Sequence, residues 1–259
     1  MTTMGAQTGG AKPTLWQIKI SHYSEKARWA LERKGIDHVR RAPLPGMHIP
    51  IALWLTGGAQ MTFPVLELEG NRIGDSTAII AALEARYPER PVYPEDPDQL
   101  RRALELEDFF DEELGPPIRL LGFHDLMSEP ELLGQRASET VSGPLKNAKA
   151  FAGGYARVYT TLRFGANSDA EAETARGKIV AAMDRLDAEL EAGDGKYLVG
   201  DAFTVADLTA ASLFFPLVGP EKGPVPADQP SPAAFEEFRA GLSQRPGFRW
   251  VEETYRRDR

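Results

Sequence analysis

The sequence contains no cysteine, and that single absence removes several chemistries at once. Disulfides, thiolate metal sites, and nucleophilic or redox catalysis by a protein thiol are excluded. If sulfur takes part in the function, a ligand brings it. Histidine is sparse: His22, His38, His48 and His124 are scattered without metal-ligand spacing. Positive charge is in deficit, with 30 basic residues against 38 acidic ones and a net charge of −8. That balance argues against nucleic acid or an anionic membrane as the main partner. No apolar run is long enough to cross a bilayer, and MTTMGAQTGGAK lacks the apolar stretch of a signal peptide. Residues 1–13 therefore read as a flexible tail and the protein as cytoplasmic.

What is present suffices for a full core. Hydrophobic residues make up 42% of 259 positions, a length at which two domains are the first expectation. The informative stretch is residues 14–34, TLWQIKISHYSEKARWALERK. Leu15–Ile20 reads as a strand. Tyr23, Ala27, Ala30, Leu31 and Lys34 then fall at helical spacing, and Gly35 stops the helix. Ser21 and Ser24 stand at the junction, where unpaired N–H groups of a helix N-terminus favour an anion. A hydroxyl there can donate a hydrogen bond to a bound thiolate, lowering a thiol pKa that in water is about 8.5. The same serines also read as an N-cap (Ser24) and a turn residue (Ser21) with no further role.

Farther on, FPVLELEGNRIGDSTAIIAALEARYP reads as strand, Gly70-Asn71 turn, strand and helix. Pro64 stands at a strand start, where an X-Pro bond can be cis or an ordinary trans edge proline. A cis bond would present the backbone of Phe63 to a peptide-like ligand. Asp75 and Ser76 open the next helix, either as plain capping residues or as a carboxylate for an ammonium and a hydroxyl for a carboxylate. Before this hairpin, His38–Ala42 reads as a short, partly exposed strand, and Ile49, Leu53 and Trp54 as the packed face of a short helix.

SHYSEKARWAL after a strand, then FPVLEL, GDSTAII and RYP, resembles the thioredoxin-like N-terminal domain of the glutathione transferases. By that resemblance Ser21 is similar to the thiol-activating residue of the serine and cysteine classes, with Ser24 and Tyr23 as alternatives. Phe63-Pro64 resembles the cis-proline step that holds the cysteinyl backbone, and Asp75 with Ser76 the pair gripping the γ-glutamyl end. Thr62 departs from the Gln or Lys usual at its place, where Gln60 is a candidate substitute.

PERPVYPEDPDQ, residues 88–99, reads as an extended linker. Beyond it only helices are expected. Ala103, Leu106, Phe110 and Leu114 form one stripe, while Glu105, Glu107, Asp108, Asp111, Glu112 and Glu113 read as a solvated or subunit-facing side and not a metal site, since no Glu-x-x-His accompanies them. Phe151, Tyr155, Tyr159 and Phe164 suit a substrate pocket or plain core. Ser168 with Glu171 reads as a capping box before a helix ending at Gly193. Thr204 with Asp207 reads as a second, before a helix apolar nearly all round. That last block resembles the folding signature of the transferase helical domain. Ser231-Pro232 opens a further helix, and Trp250 and Tyr255 cover pocket or core.

The expected architecture is thus α/β plus all-α: a thioredoxin-like glutathione-binding domain over 14–87, the linker 88–99, and an all-helical bundle over 100–259 carrying the electrophile pocket. The resemblance implies a homodimeric transferase with glutathione as co-substrate, no metal, and a small apolar electrophile as second substrate. A glutathione-dependent isomerase or dehalogenase, and a non-catalytic ligand-binding protein of the same fold, are the alternatives. A reductase forming a mixed disulfide on its own cysteine is excluded by composition.

Overall fold

The computed structural model describes residues 11–43, 47–139, 161, 166–225 and 229–259. The four aromatics Phe151, Tyr155, Tyr159 and Phe164 lie outside them. The chain divides into two compact units, one formed by residues up to Pro43 with Met47–Pro88, the other containing Glu89–Arg259.

The first unit runs β1 (Thr14–Trp16), α1 (His22–Arg33), β2 (Val39–Arg41), α2 (His48–Leu55), β3 (Val65–Leu68), β4 (Asn71–Gly74) and α3 (Ser76–Arg86). Its sheet has the order β2-β1-β3-β4, with β1 parallel to β2 and antiparallel to β3. Side chains alternate across it. Trp16 and Val65 face α2, where they pack with Ala52, Leu55 and Phe63. Leu15, Leu66 and Leu68 are buried on the other side, and Ile79, Ile80 and Leu83 line the buried face of α3 as their spacing predicts.

Three local expectations are corrected here. The first strand ends at Trp16, not Ile20, because the Ile18 N–H donates to Ser24 Oγ (3.2 Å) and the Ser21 N–H to the Ile18 carbonyl (3.1 Å), which curls the chain into α1. The hairpin turn is Glu69-Gly70, with Asn71 already in β4. Both turn residues have positive φ, 51° and 83°, the backbone that matches the twist of a two-residue hairpin. Trp54 is 65% exposed with the Arg72 guanidinium stacked on it at 4.4 Å, and α2 packs instead through His48, Ala52 and Leu55.

The second unit holds, among the described residues, only helices: α4 (Pro97–Glu113), α5 (Gly115–Met127), α6 (Pro130–Glu139), α7 (Asp169–Ala192), α8 (Val205–Val218), α9 (Ala233–Leu242) and α10 (Pro246–Asp258). Helix α4 begins inside the expected linker, because Asp96 Oδ1 accepts from the N–H groups of Asp98 (3.0 Å) and Gln99 (2.9 Å), with Pro97 at the first position. Glu107, placed on the solvated side by its charge, is fully buried. Helix α9 is preceded by Pro232, not capped by Ser231, and the Ala233 N–H is taken by Glu129 Oε1 at 2.6 Å. The N–H of Gly247 donates to Asp187 Oδ1 at 2.6 Å, docking α10 on α7 so closely that a Cβ at Gly247 would lie 2.8 Å from that oxygen. Trp250 and Tyr255 are core residues, 4% and 1% exposed.

Helix α8 is buried nearly all round, as its composition predicts, and both capping boxes form at least their expected side-chain bond. Asp207 accepts from the N–H groups of Leu198 (2.8 Å) and Thr204 (2.7 Å) and from the Thr204 hydroxyl (2.9 Å). Burial pushes its carboxyl up from 3.8 to about 6, against those three bonds, which pull it down. A carboxyl that binds its proton more readily in the folded state makes its most favourable contribution below pH 4, and loses it as the pH rises through about 6. Asp207→Asn removes this titration. The stability of the wild type relative to Asp207→Asn should therefore improve by on the order of 2–3 kcal/mol between pH 7 and pH 4 in urea unfolding. A gap that stays constant, or narrows on acidification, contradicts the assignment.

Candidate active site

One row of register partners assembles the candidate residues. Trp16 is opposite Val65 in the β1–β3 ladder, and Val65 is opposite Gly74 in the β3–β4 ladder. The segments that continue from this row, Gln17–Ser21 after β1, Phe63-Pro64 before β3 and Asp75-Ser76 after β4, consequently meet at one end of the sheet. The Phe63–Pro64 bond is cis, as the ligand-presenting reading requires.

The two serines have different environments. Ser24 is fully buried and its Oγ accepts from the Ile18 N–H. Ser21 is partly exposed at the N-cap of α1, with φ −80° and ψ 128°, and its Oγ accepts from the Ser24 N–H at 3.3 Å. The cap is thus Ser21 and not Ser24. A hydroxyl that accepts this bond still has its one proton to donate, at the positive end of the helix dipole. Tyr23 is partly exposed and its ring lies 4.5 Å from that of His22.

Asp75 has φ 72° and ψ 137°, a region that costs a non-glycine residue about 1–3 kcal/mol and persists where surroundings enforce it. Its Oδ1 accepts both the Thr77 N–H (2.9 Å) and the Ala78 N–H (3.2 Å), so the carboxylate caps α3 with one oxygen. Ser76 is 2% exposed. Phe63 is buried while Thr62 is exposed, its hydroxyl 3.5 Å from the Phe63 carbonyl. The Gln60 side chain lies against Gly74, beside Asp75, so tightly that a Cβ at Gly74 would clash with it.

Spacing alone misses the charges beneath the site. Glu25, Lys26 and Arg28 are 1%, 0% and 3% exposed. Lys26 Nζ donates to Thr77 Oγ1 at 3.0 Å, tying α1 to the first turn of α3. The signal was there: Glu25, Lys26 and Arg28 are interleaved with Ala27, Ala30 and Leu31, leaving a helix with little polar face. Among the described residues no group of three or more His, Asp or Glu side chains is placed to hold a metal ion, and no helix is long and apolar enough to cross a membrane.

Residues 15–91 match the family model of the glutathione S-transferase N-terminal domain, and residues 137–244 that of the C-terminal domain. The chain belongs to the glutathione S-transferase family. Similar solved structures include a glutathione S-transferase from Methylobacterium radiotolerans in complex with glutathione sulfonate (22% identity, TM-score 0.56, 92% of each chain). A glutathione transferase from Phanerochaete chrysosporium is another (18%, TM-score 0.65, 96% of this chain and 97% of that one). The β-etherase LigF from a Sphingobium strain is a third (17%, TM-score 0.61, 94% and 99%). At these identities the likeness is one of fold.

The serines should separate by stability. Ser24→Ala leaves the partly buried Ile18 N–H without its acceptor and should destabilise by about 1–3 kcal/mol. Ser21→Ala removes an N-cap at a partly exposed position and should cost about 1 kcal/mol. Urea midpoints of the two variants give the order, and a larger loss from Ser21→Ala would reverse this reading of which side chain is structural.

Proposed function

We propose that the protein is a glutathione transferase in which Ser21 keeps the thiol of glutathione ionised for attack on a small apolar electrophile. The observation that carries this reading is the convergence of a partly exposed Ser21, the Phe63-Pro64 step and the Asp75-Ser76 helix start at one end of a sheet, in a chain of this family.

The chemistry follows from what each group can donate or accept. Glutathione's cysteinyl backbone pairs with the Phe63 peptide, with Thr62 and Gln60 beside it. Asp75 caps α3 through Oδ1, and its second oxygen takes the γ-glutamyl ammonium. Ser76, through its hydroxyl and its own N–H at the start of α3, takes the γ-glutamyl carboxylate, since the Thr77 and Ala78 N–H groups are held by Asp75 Oδ1. The thiol proton goes to solvent. Ser21 donates its hydroxyl proton in a hydrogen bond to S⁻, and the α1 dipole adds to it. Sulfur then contributes its electron pair to an electrophilic carbon, and either a leaving group departs with the pair of the broken bond or the pair of a double bond moves to the neighbouring carbon, which takes a proton from solvent. Each unit by which the bound thiol pKa falls is worth about 1.36 kcal/mol. The assembly carried over with the family is a homodimer, which analytical ultracentrifugation reads directly.

Calorimetry should show glutathione binding at millimolar concentration or tighter, and absence of binding there ends the reading. In conjugation assays Ser21→Ala should lower kcat/KM about a hundredfold near neutral pH and raise the apparent thiol pKa by about one to two pH units. Asp75→Ala and Ser76→Ala should act mainly on the KM for glutathione, by about tenfold. A product that is an isomer or a dehalogenated substrate, with glutathione regenerated, would place the same thiolate in an isomerase or dehalogenase. Retention of apolar ligands with no turnover, unaffected by Ser21→Ala, would make this a binding protein.

A further inference from the structure

The turn from β1 into α1 is tied down at nearly every residue. The Gln17 N–H donates to the Arg41 carbonyl of β2 (2.8 Å), the Ile18 N–H to Ser24 Oγ (3.2 Å) and the Ser21 N–H to the Ile18 carbonyl (3.1 Å). The Ser21 carbonyl in turn accepts from the Glu25 N–H (2.9 Å). One side chain reaches across this whole span. From the middle of α1, the Arg28 guanidinium donates through Nε to Glu25 Oε2 (2.7 Å). Its two terminal nitrogens donate to Gln17 Oε1 (2.6 Å) and to the Lys19 carbonyl (3.1 Å). Gln17, Glu25 and Arg28 are all at least nine-tenths buried.

The stability of the fold does not call for such an arrangement. A buried ion pair is often no more stabilising than apolar residues of the same volume, because desolvation offsets most of the attraction. What a guanidinium supplies beyond charge is a rigid planar fork, which fixes several acceptors relative to one another. Here those acceptors are the last residue before the turn, a carbonyl within it, and the first turn of the helix whose N-cap is Ser21. An error of about 1 Å in a group that must meet a charge costs on the order of a hundredfold in rate.

We propose that Arg28 is a positioning residue: by clamping Gln17 and the Lys19 carbonyl to the first turn of α1, it holds the Ser21 hydroxyl where it meets the sulfur of the bound thiol. This rests on the role given to Ser21 above. Arg28 touches neither substrate. It acts on the thiolate only through the turn.

Two substitutions test it without removing the buried charge. Arg28→Lys keeps a cation beside Glu25 but has no fork, and Gln17→Leu removes one strut while leaving the Arg28–Glu25 pair intact. Lys34→Met is the control, since the Lys34–Glu84 pair (2.8 Å) sits at the other end of α1. The readouts are the ultraviolet absorbance of bound glutathione thiolate against pH, and the pH profile of kcat/KM with a chromogenic aryl halide. Arg28→Lys and Gln17→Leu should each raise the bound thiol pKa by about one pH unit. At neutral pH they should lower kcat/KM about tenfold, with the KM for glutathione changed less than about threefold. Lys34→Met should lower Tm and leave the profile in place. Profiles unmoved in both variants, or an effect confined to KM or Tm, overturn the proposal. If Arg28→Lys does not fold, Gln17→Leu decides. Should wild type bind no glutathione, the functional reading fails and this one with it. Should wild type bind glutathione as thiolate while neither variant moves the profile, only the role of Arg28 fails.

Discussion

A single lateral row of the sheet, Trp16 to Val65 to Gly74, decides where three separate pieces of chain come to lie. Register in a sheet is set in steps of one residue, and a slip of one would send every side chain of a strand to the wrong face. Val65 is fully buried against α2 and its register partner is a half-buried Trp16, so the hydrophobic pattern leaves little freedom for such a slip. The Glu69-Gly70 turn fixes the other pairing from the far side. With the row fixed, the turn to α1, the Phe63-Pro64 step and the start of α3 are delivered to the same end without any of them needing to be long.

The first helix departs from simple amphipathicity in the charges it buries. It buries Glu25, Lys26 and Arg28 along with its apolar residues, and each charge has a partner in a different direction: within the helix, toward α3, or back toward the strand it came from. The second unit solves its own version of the problem with Asp207, a carboxylate in the wall of an apolar helix whose three donors all belong to the loop and cap that precede that helix. In both units a buried polar group on a helix fixes the chain that enters it.

Much of the architecture was legible because it rests on periodicity and caps. Ile79, Ile80 and Leu83, the Thr204–Asp207 box and the apolar α8 stand where spacing puts them, and all are buried. What spacing could not carry was competition between local bonds. The strand expected through Ile20 stops at Trp16 because a serine hydroxyl captures a strand N–H. A run ending in Gly70-Asn71 turns one residue earlier because Glu69 accepts positive φ there. Trp54 is exposed although its size argues for burial, since stacking by Arg72 covers part of one ring face. Of the two candidate serines, only the fold tells which is turned inward, because both share the same residue type and neighbouring positions.

The Leu68–Asn71 pair closes the β3–β4 ladder at the end opposite to Val65–Gly74, so the hairpin tip stands as far from the candidate residues as that ladder allows. Its two residues are exposed, and the Glu69–Arg86 pair that braces them lies at the surface, where such contacts contribute little. That tip is a natural point of attachment. A fluorophore or an affinity handle carried by the side chain at position 69, with Gly70 kept in its positive-φ place, would report on or immobilise the protein while leaving the opposite rim untouched.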